Sequence, residues 1–389
     1  MRIQGLTGLA TLLLANSACS AAPGNAPAAV ANQPFRSEVV ADFEAPWAMT
    51  FLPGSGRPLT SQALVTEKAG KLWLVDVASG QRQEVMGVPT NIRVEGQGGL
   101  GDVVVAPDFA GSQRVYLSYV EPEGELSGAV VGTGRLILGQ EAPRLEDFRV
   151  IWRQQPKVTG GGHFSHRIAF GPDGKLYISS GERQKFDPAQ DPNANLGRIV
   201  RLNADGTVPG DNPWSSRGGV GAQAWTMGNR NVLGLAFGPD GRLWGAEMGP
   251  AGGDELNHLE RGSNYGYPIV SDGDHYDGRV IPDHSTRPEF NGPEIVWTPV
   301  ISPSSMIFYS GDDFPAWRGN ALIGGLSAQG IVRVAIDGNT AREVERLPMS
   351  ARIREVEQGP DGELYVLEDE RDGSQGRLLR LTPGAQTRR

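Results

Sequence analysis

The chain repeats itself. Gly171-Pro-Asp-Gly-Lys-Leu-Tyr177, Gly238-Pro-Asp-Gly-Arg-Leu-Trp244 and Gly359-Pro-Asp-Gly-Glu-Leu-Tyr365 are near copies of one another. Looser copies stand at Phe51-Leu-Pro-Gly, Ala106-Pro-Asp-Phe109 and Phe314-Pro-Ala-Trp, so six related prolines run from Pro53 to Pro360 in steps of 45 to 76 residues. Each unit reads strand, tight turn, strand. Proline presets the first turn residue, aspartate bonds its own backbone, and glycine takes the positive φ. Alternating apolar residues flank the turns, as in Ile168-Ala-Phe170 and Leu176-Tyr-Ile-Ser179. Recurring hairpins at such a period specify a radial array. The expected fold is all-β: a six-bladed β-propeller with four-stranded antiparallel blades.

Bulk properties narrow the partners. A formal net charge of −9, with no basic run, argues against nucleic acid, since phosphate binding needs clustered Lys and Arg. The single cysteine, Cys19, excludes an intramolecular disulfide. It follows a short positive start and an apolar stretch, Leu6 to Ala15, too short to span a bilayer. Residues 1–19 therefore read as an export signal of lipoprotein type, with a lipid anchor at Cys19. Ordinary cleavage after Ser20-Ala21-Ala22 is the alternative. Residues 20–34, rich in Ala, Pro and Asn, read as a flexible spacer, and 35–385 as one propeller domain. On this reading the folded part works in the periplasm. Monomer and homodimer both stay open.

A propeller says little about function, so the polar interruptions of the repeat carry the argument. Thr159-Gly-Gly-Gly-His163 offers a histidine on a glycine-rich approach, suited to taking a proton near neutral pH. His166 lacks that glycine context and reads as structural. Met227-Gly-Asn-Arg230-Asn231 suits recognition of a carboxylate or carbonyl. Glu247 to Asn257, with Gly249, Pro250 and Asp254-Glu255, offers carboxylates and bare carbonyls, the hard oxygens calcium prefers. It lacks the ligand periodicity of an EF-hand. Arg352 and Arg354, two apart on a strand, share a face and call for an anion or a pair of carboxylates. Each has a bland reading as an inter-blade strut or a solvated surface group. His163, Arg230 and the arginine pair nevertheless fall at similar distances before a repeat turn. Equivalent positions in different blades converge at one end of a propeller channel.

This constellation resembles the soluble, pyrroloquinoline quinone (PQQ)-dependent glucose and aldose sugar dehydrogenases. The resemblance runs from Pro46-Trp-Ala-Met-Thr-Phe51 to Leu378-Leu-Arg-Leu381. It is strongest at Gly96-Gln97-Gly-Gly-Leu-Gly101, Gly-Gly-His163, Gly228-Asn-Arg230-Asn231, and Gly249-Pro250 through Asn264-Tyr265-Gly-Tyr-Pro268. It implies PQQ and Ca2+ as cofactors, an aldose substrate oxidised to its lactone, and an external electron acceptor. His163 then matches the general base, and Glu182 stands where the family has an orienting aspartate. Gln97, Arg230, Asn231, Arg352 and Arg354 match cofactor-binding positions. The carbonyls of Gly249 and Pro250 match ligands of the catalytic calcium, and Glu255 with Tyr265 a second calcium site. Tyr276 is expected at the substrate mouth. One departure is the turn Gly324–Gly330, which lacks the family's lysine and offers Ala328 or Gln329 instead. The competing readings are a calcium-dependent propeller lactonase and a non-catalytic secreted binding propeller. The first needs several carboxylates or asparagines on one metal, the second an aromatic, neutral channel.

Overall fold

The computed structural model describes residues 33–54 and 62–384. Cys19, the segment read as an export signal, and nearly all of the spacer lie outside them. The three Gly-Pro-Asp-Gly turns form as their residues dictate. In the third blade Gly174 N donates to Gly171 O at 2.9 Å, and Lys175 N to Asp173 Oδ1 at 3.0 Å. Gly174 sits at φ +71°, the left-handed region its missing Cβ permits. The turns at Gly238 and Gly359 repeat the pattern.

Six antiparallel sheets result. Their first strands are Pro46–Phe51, Leu100–Val105, Ser165–Phe170, Val232–Phe237, Pro303–Phe308 and Ile353–Gln358. Five sheets have four strands. The third has three, with an isolated Val200–Ala224 bridge beyond its last strand. The last sheet takes its fourth strand from the other end of the chain, where Phe35–Asp42 pairs with Arg377–Pro383. That closure ties both ends of the domain into one blade. A closed ring leaves fewer strand edges exposed.

The core is divided in the same way. Six apolar clusters each span two adjacent blades. Leu64 and Leu74 of the first pack with Leu117 and Val130 of the second, and so on round to Met49 and Val65 with Leu367 and Leu378. Each blade alternates apolar residues on both faces, because both faces meet a neighbour.

On the axis, Arg167 ties the ring together. It reaches Glu355 Oε2 at 2.5 Å, Asp102 Oδ1 at 3.3 Å, and the carbonyls of Leu233 at 2.9 Å and Ser304 at 2.5 Å. Its guanidinium also lies over Trp47, 4.1 Å from the ring centroid. One side chain from the third blade thus touches all five others.

All six first strands share one irregularity. The pairing register slips near the start of each, between Pro46/Met49, Leu100/Val103, Ser165/Ile168, Val232/Gly234, Pro303/Ser305 and Ile353/Glu355. Such bulges bend a strand and re-aim its side chains. Here they lie at one end of the channel, where the candidate residues collect.

Candidate active site

Three cavities occupy this end. The first, of about 200 Å3, is cationic. It is lined by Lys68, Arg352, Arg354 and Arg371 with Gln97 and Trp47, and by no Asp or Glu among the described residues. The second, also about 200 Å3, is lined by His163, Glu182, Arg230 and Pro250 and walled by Phe186, Tyr267 and Tyr276. The two meet at a hydrogen bond from His163 N to Gln97 Oε1, 2.8 Å. The third, about 10 Å3, holds Glu247, Gly249, Glu255 and Tyr265.

His163 is 5 % exposed and sits at φ +48°; Ser165 and His166 are left-handed too. Non-glycine residues pay for that conformation, and such strain concentrates at functional sites. Nδ1 of His163 hydrogen-bonds Glu182 Oε1. A carboxylate only accepts, so Nδ1 carries the proton and Nε2 keeps its lone pair. The other Glu182 oxygen accepts from Lys185 N at 2.7 Å and Phe186 N at 2.8 Å. Burial opposes the Glu182 charge, but the His163 contact, the Phe186 N–H and Arg230 more than offset it, leaving its pKa below the ordinary value. Burial, helped by Arg230, lowers the pKa of His163 even though Glu182 works the other way. Glu182 therefore reaches the histidine despite its longer side chain.

Arg230 donates to the carbonyls of Met248 at 2.8 Å and Gly249 at 2.6 Å, and its guanidinium lies within 6 Å of the Tyr267 and Tyr276 rings. Its buried Nε has no partner. Tyr276 is 75 % exposed and stands at the mouth. Asn231 is not a lining residue. It is fully buried, accepting from Ser165 Oγ at 2.9 Å and facing Met248 Sδ at 3.7 Å, so it braces two residues that line the cationic cavity.

Arg352 and Arg354 do share a face, and they already have a carboxylate between them. Asp369 Oδ2 lies 3.0 Å from Arg352 Nε and 3.2 Å from Arg354 Nη2, and Asp372 adds a contact to Arg352 at 3.3 Å. Four cations beside buried Asp369 and exposed Asp372 still leave positive charge, and Arg354 Nε is buried without a partner. The turn Gly324–Gly330 presents Leu326 to this cavity, whereas Ala328 packs inward against its own blade.

In the third cavity Glu247 and Glu255 face each other across adjacent strands. Burial and then Glu247 push the Glu255 carboxyl well above its ordinary range. The Tyr265 phenol is committed to His258 O and Glu260 N, leaving its carbonyl, which accepts from His284 Nε2 at 3.0 Å. His284 Nδ1 in turn meets Asp272 Oδ2 at 2.7 Å, so Glu255, Asp272 and His284 form one cluster of potential ligands. Asp272, His284, Lys68 and Arg371 were not among the residues singled out from sequence. None interrupts a repeat, and only the fold brings them in.

This arrangement is that of a six-bladed propeller with a hydrogen-bonded histidine–glutamate pair beside a cation-lined cavity. The chain belongs to the glucose/sorbosone dehydrogenase family, whose model matches residues 43–380. It is 38 % identical over 354 residues to an aldose sugar dehydrogenase of Escherichia coli, covering 89 % of this chain and 92 % of that one. It is 28 % identical over 392 residues to quinoprotein glucose dehydrogenase B of Acinetobacter calcoaceticus, covering 79 % of this chain and 81 % of the other. The PQQ-bound aldose sugar dehydrogenase of Streptomyces coelicolor superposes with a TM-score of 0.71 at 25 % identity, over 92 % of this chain and 99 % of that one. The expected family is thereby met.

Proposed function

We propose that this protein is a PQQ-dependent aldose sugar dehydrogenase that oxidises the anomeric carbon of an aldose to a lactone. The observation that carries the reading is the His163–Glu182 pair on an aromatic cavity that opens beside a cation-lined, carboxylate-free one. A bulky polycarboxylate suits the cation-lined cavity, and the partnerless Nε atoms of Arg354 in it and of Arg230 in the neighbouring cavity fit that donor demand. Gln97, Arg352 and Arg354 would hold the carboxylates of PQQ, with Arg230 beside its reacting end.

PQQ, when bound, supplies the hydride acceptor. The chain's residues do the rest. Phe186, Tyr267 and Tyr276 offer faces on which a sugar ring can pack while its hydroxyls reach polar groups. His163 Nε2 takes the proton of the anomeric hydroxyl as the C1 hydrogen departs with its electron pair, leaving the lactone carbonyl. Glu182 holds the imidazole tautomer and offsets the charge that develops on it. The two electrons pass on to an external acceptor. A calcium ion fits the hard oxygens here: the Gly249 and Pro250 carbonyls, and Glu255 with the Tyr265 carbonyl next to Glu247. It would act as a Lewis acid at the first and as a structural ion at the second. We place the enzyme in the periplasm, held by lipid at Cys19, and Cys19→Ser should release it from the membrane fraction.

The test is reconstitution. The mature chain, purified without cofactor, is given PQQ and Ca2+ and assayed for dye reduction with a panel of aldoses. Activity with PQQ and none with nicotinamide cofactors is expected. A folded chain that oxidises no aldose refutes the reading.

A further inference from the structure

The cationic cavity contains an ammonium group that no resemblance assigns. Lys68 follows the strand Gln62–Glu67 in the first blade, opposite the arginine-bearing sixth blade across their shared interface. Its backbone is pinned on both sides. N donates to Ala45 O at 3.0 Å, and its carbonyl accepts from Leu100 N at 3.0 Å. Gly99 at φ +130° passes so close that any side chain there would strike Lys68. The side chain reaches in and gives one hydrogen bond, Nζ to Gly96 O at 2.8 Å. An ammonium has three donors, so two remain for the cavity.

The four cations of this cavity are not equivalent. Asp369 is shared by Arg352 and Arg354, and Arg352 has Asp372 besides. Lys68 forms no ion pair among the described residues. Burial lowers its pKa, and Arg354 adds to the effect, with Asp369 opposing it only in part. Arg371 is likewise unpaired but exposed. The turn Gly324–Gly330 contributes only Leu326. Lys68 is therefore the least neutralised inward-facing charge, next to Gln97 and across from Arg354.

We propose that Lys68 is a cofactor-binding residue of this chain, its ammonium taking a PQQ carboxylate together with Arg354. This rests on the functional reading above, since it needs a polycarboxylate ligand in that cavity. It also means that the missing lysine of the Gly324–Gly330 turn is replaced from another blade.

The experiment is a PQQ titration of the full chain in Ca2+, followed by quenching of tryptophan fluorescence, for which Trp47 lies in the cavity wall, and by the gain in melting temperature. Lys68→Met should raise the PQQ Kd by on the order of 10–100-fold, the usual range for a lost charge-assisted contact. Lys68→Arg should recover most of that loss. If the methionine variant melts lower without cofactor, Lys68→Gln carries the comparison. Variants that titrate like the parent overturn the inference while the functional reading stands. A parent that binds no PQQ overturns both.

Discussion

Glu182 fixes His163 with both of its oxygens: one takes Nδ1–H, and the other is locked by the backbone N–H groups of Lys185 and Phe186. The imidazole therefore presents a lone pair at Nε2. His163→Gln should lower kcat by roughly 10²–10⁴-fold, the usual value of a positioned base. PQQ affinity should change little, since the side chain lies in the aromatic cavity. Steady-state kinetics beside a PQQ titration distinguish this from an inter-blade strut, whose loss would lower stability and leave turnover of the folded fraction intact.

The same pair sets a pH dependence. The base works only when neutral, and burial holds the His163 pKa below its ordinary 6.5. Activity should thus rise with pH through that lowered value and be level by neutrality. Glu182 raises the histidine's pKa, so Glu182→Gln should move the acid limb to still lower pH. It should also reduce the plateau by about 10–100-fold as the imidazolium loses its counter-charge. A kcat/KM profile from pH 4 to 8 checks both. An acid limb that moves to higher pH would contradict the assignment.

Much of this was legible in the chain. The three Gly-Pro-Asp-Gly turns imposed their hairpins by local chemistry, and together with the three looser copies they implied the blade number. His163 and Arg230 showed themselves as polar breaks in the repeat. What local pattern could not show was pairing across blades. Arg167 stands two residues before the Ala-Phe of an ordinary strand, yet its guanidinium meets Asp102 and Glu355 from blades far off in sequence. Lys68 looks like any hairpin lysine until the ring closes around it. Nor could local pattern show that Asn231 accepts from Ser165 Oγ of the neighbouring blade. The third blade lacks a full fourth strand because residues 203–224 run through turns and short 3₁₀ segments rather than alternating residues.

Metal removal should be felt at Glu255. It and Glu247 are buried carboxylates on facing strand positions, a pairing that costs stability unless a cation lies between. Chelation should therefore lower the melting temperature of the parent and added Ca2+ should restore it. In Glu255→Gln the chelated protein should melt level with or above the chelated parent, while the gain on adding Ca2+ shrinks. Thermal unfolding with and without chelator measures both. An undiminished Ca2+ gain in the variant would remove Glu255 from the metal site.

The arginine pair carries the sharpest test, because the structure revises what its loss should do. Two like charges on one strand face would repel, and removing one would then leave the cofactor-free protein as stable or more so. Asp369 changes the sign. It is 3 % exposed and its Oδ2 is shared by both guanidinium groups, so each arginine neutralises a buried carboxylate. Arg352→Ala or Arg354→Ala alone leaves Asp369 one partner and should cost about 1 kcal/mol. The double variant strands the carboxylate and should cost about 3–5 kcal/mol, more than the sum of the singles. PQQ affinity should fall by about 10–100-fold in each single variant, with turnover largely restored at saturating PQQ. Adding Asp369→Asn to the double variant should recover much of the lost stability and none of the lost affinity. Melting curves without PQQ and titrations with it, run on the same four proteins, separate the two roles. Full PQQ affinity in both single variants would mean that the pair serves Asp369 alone.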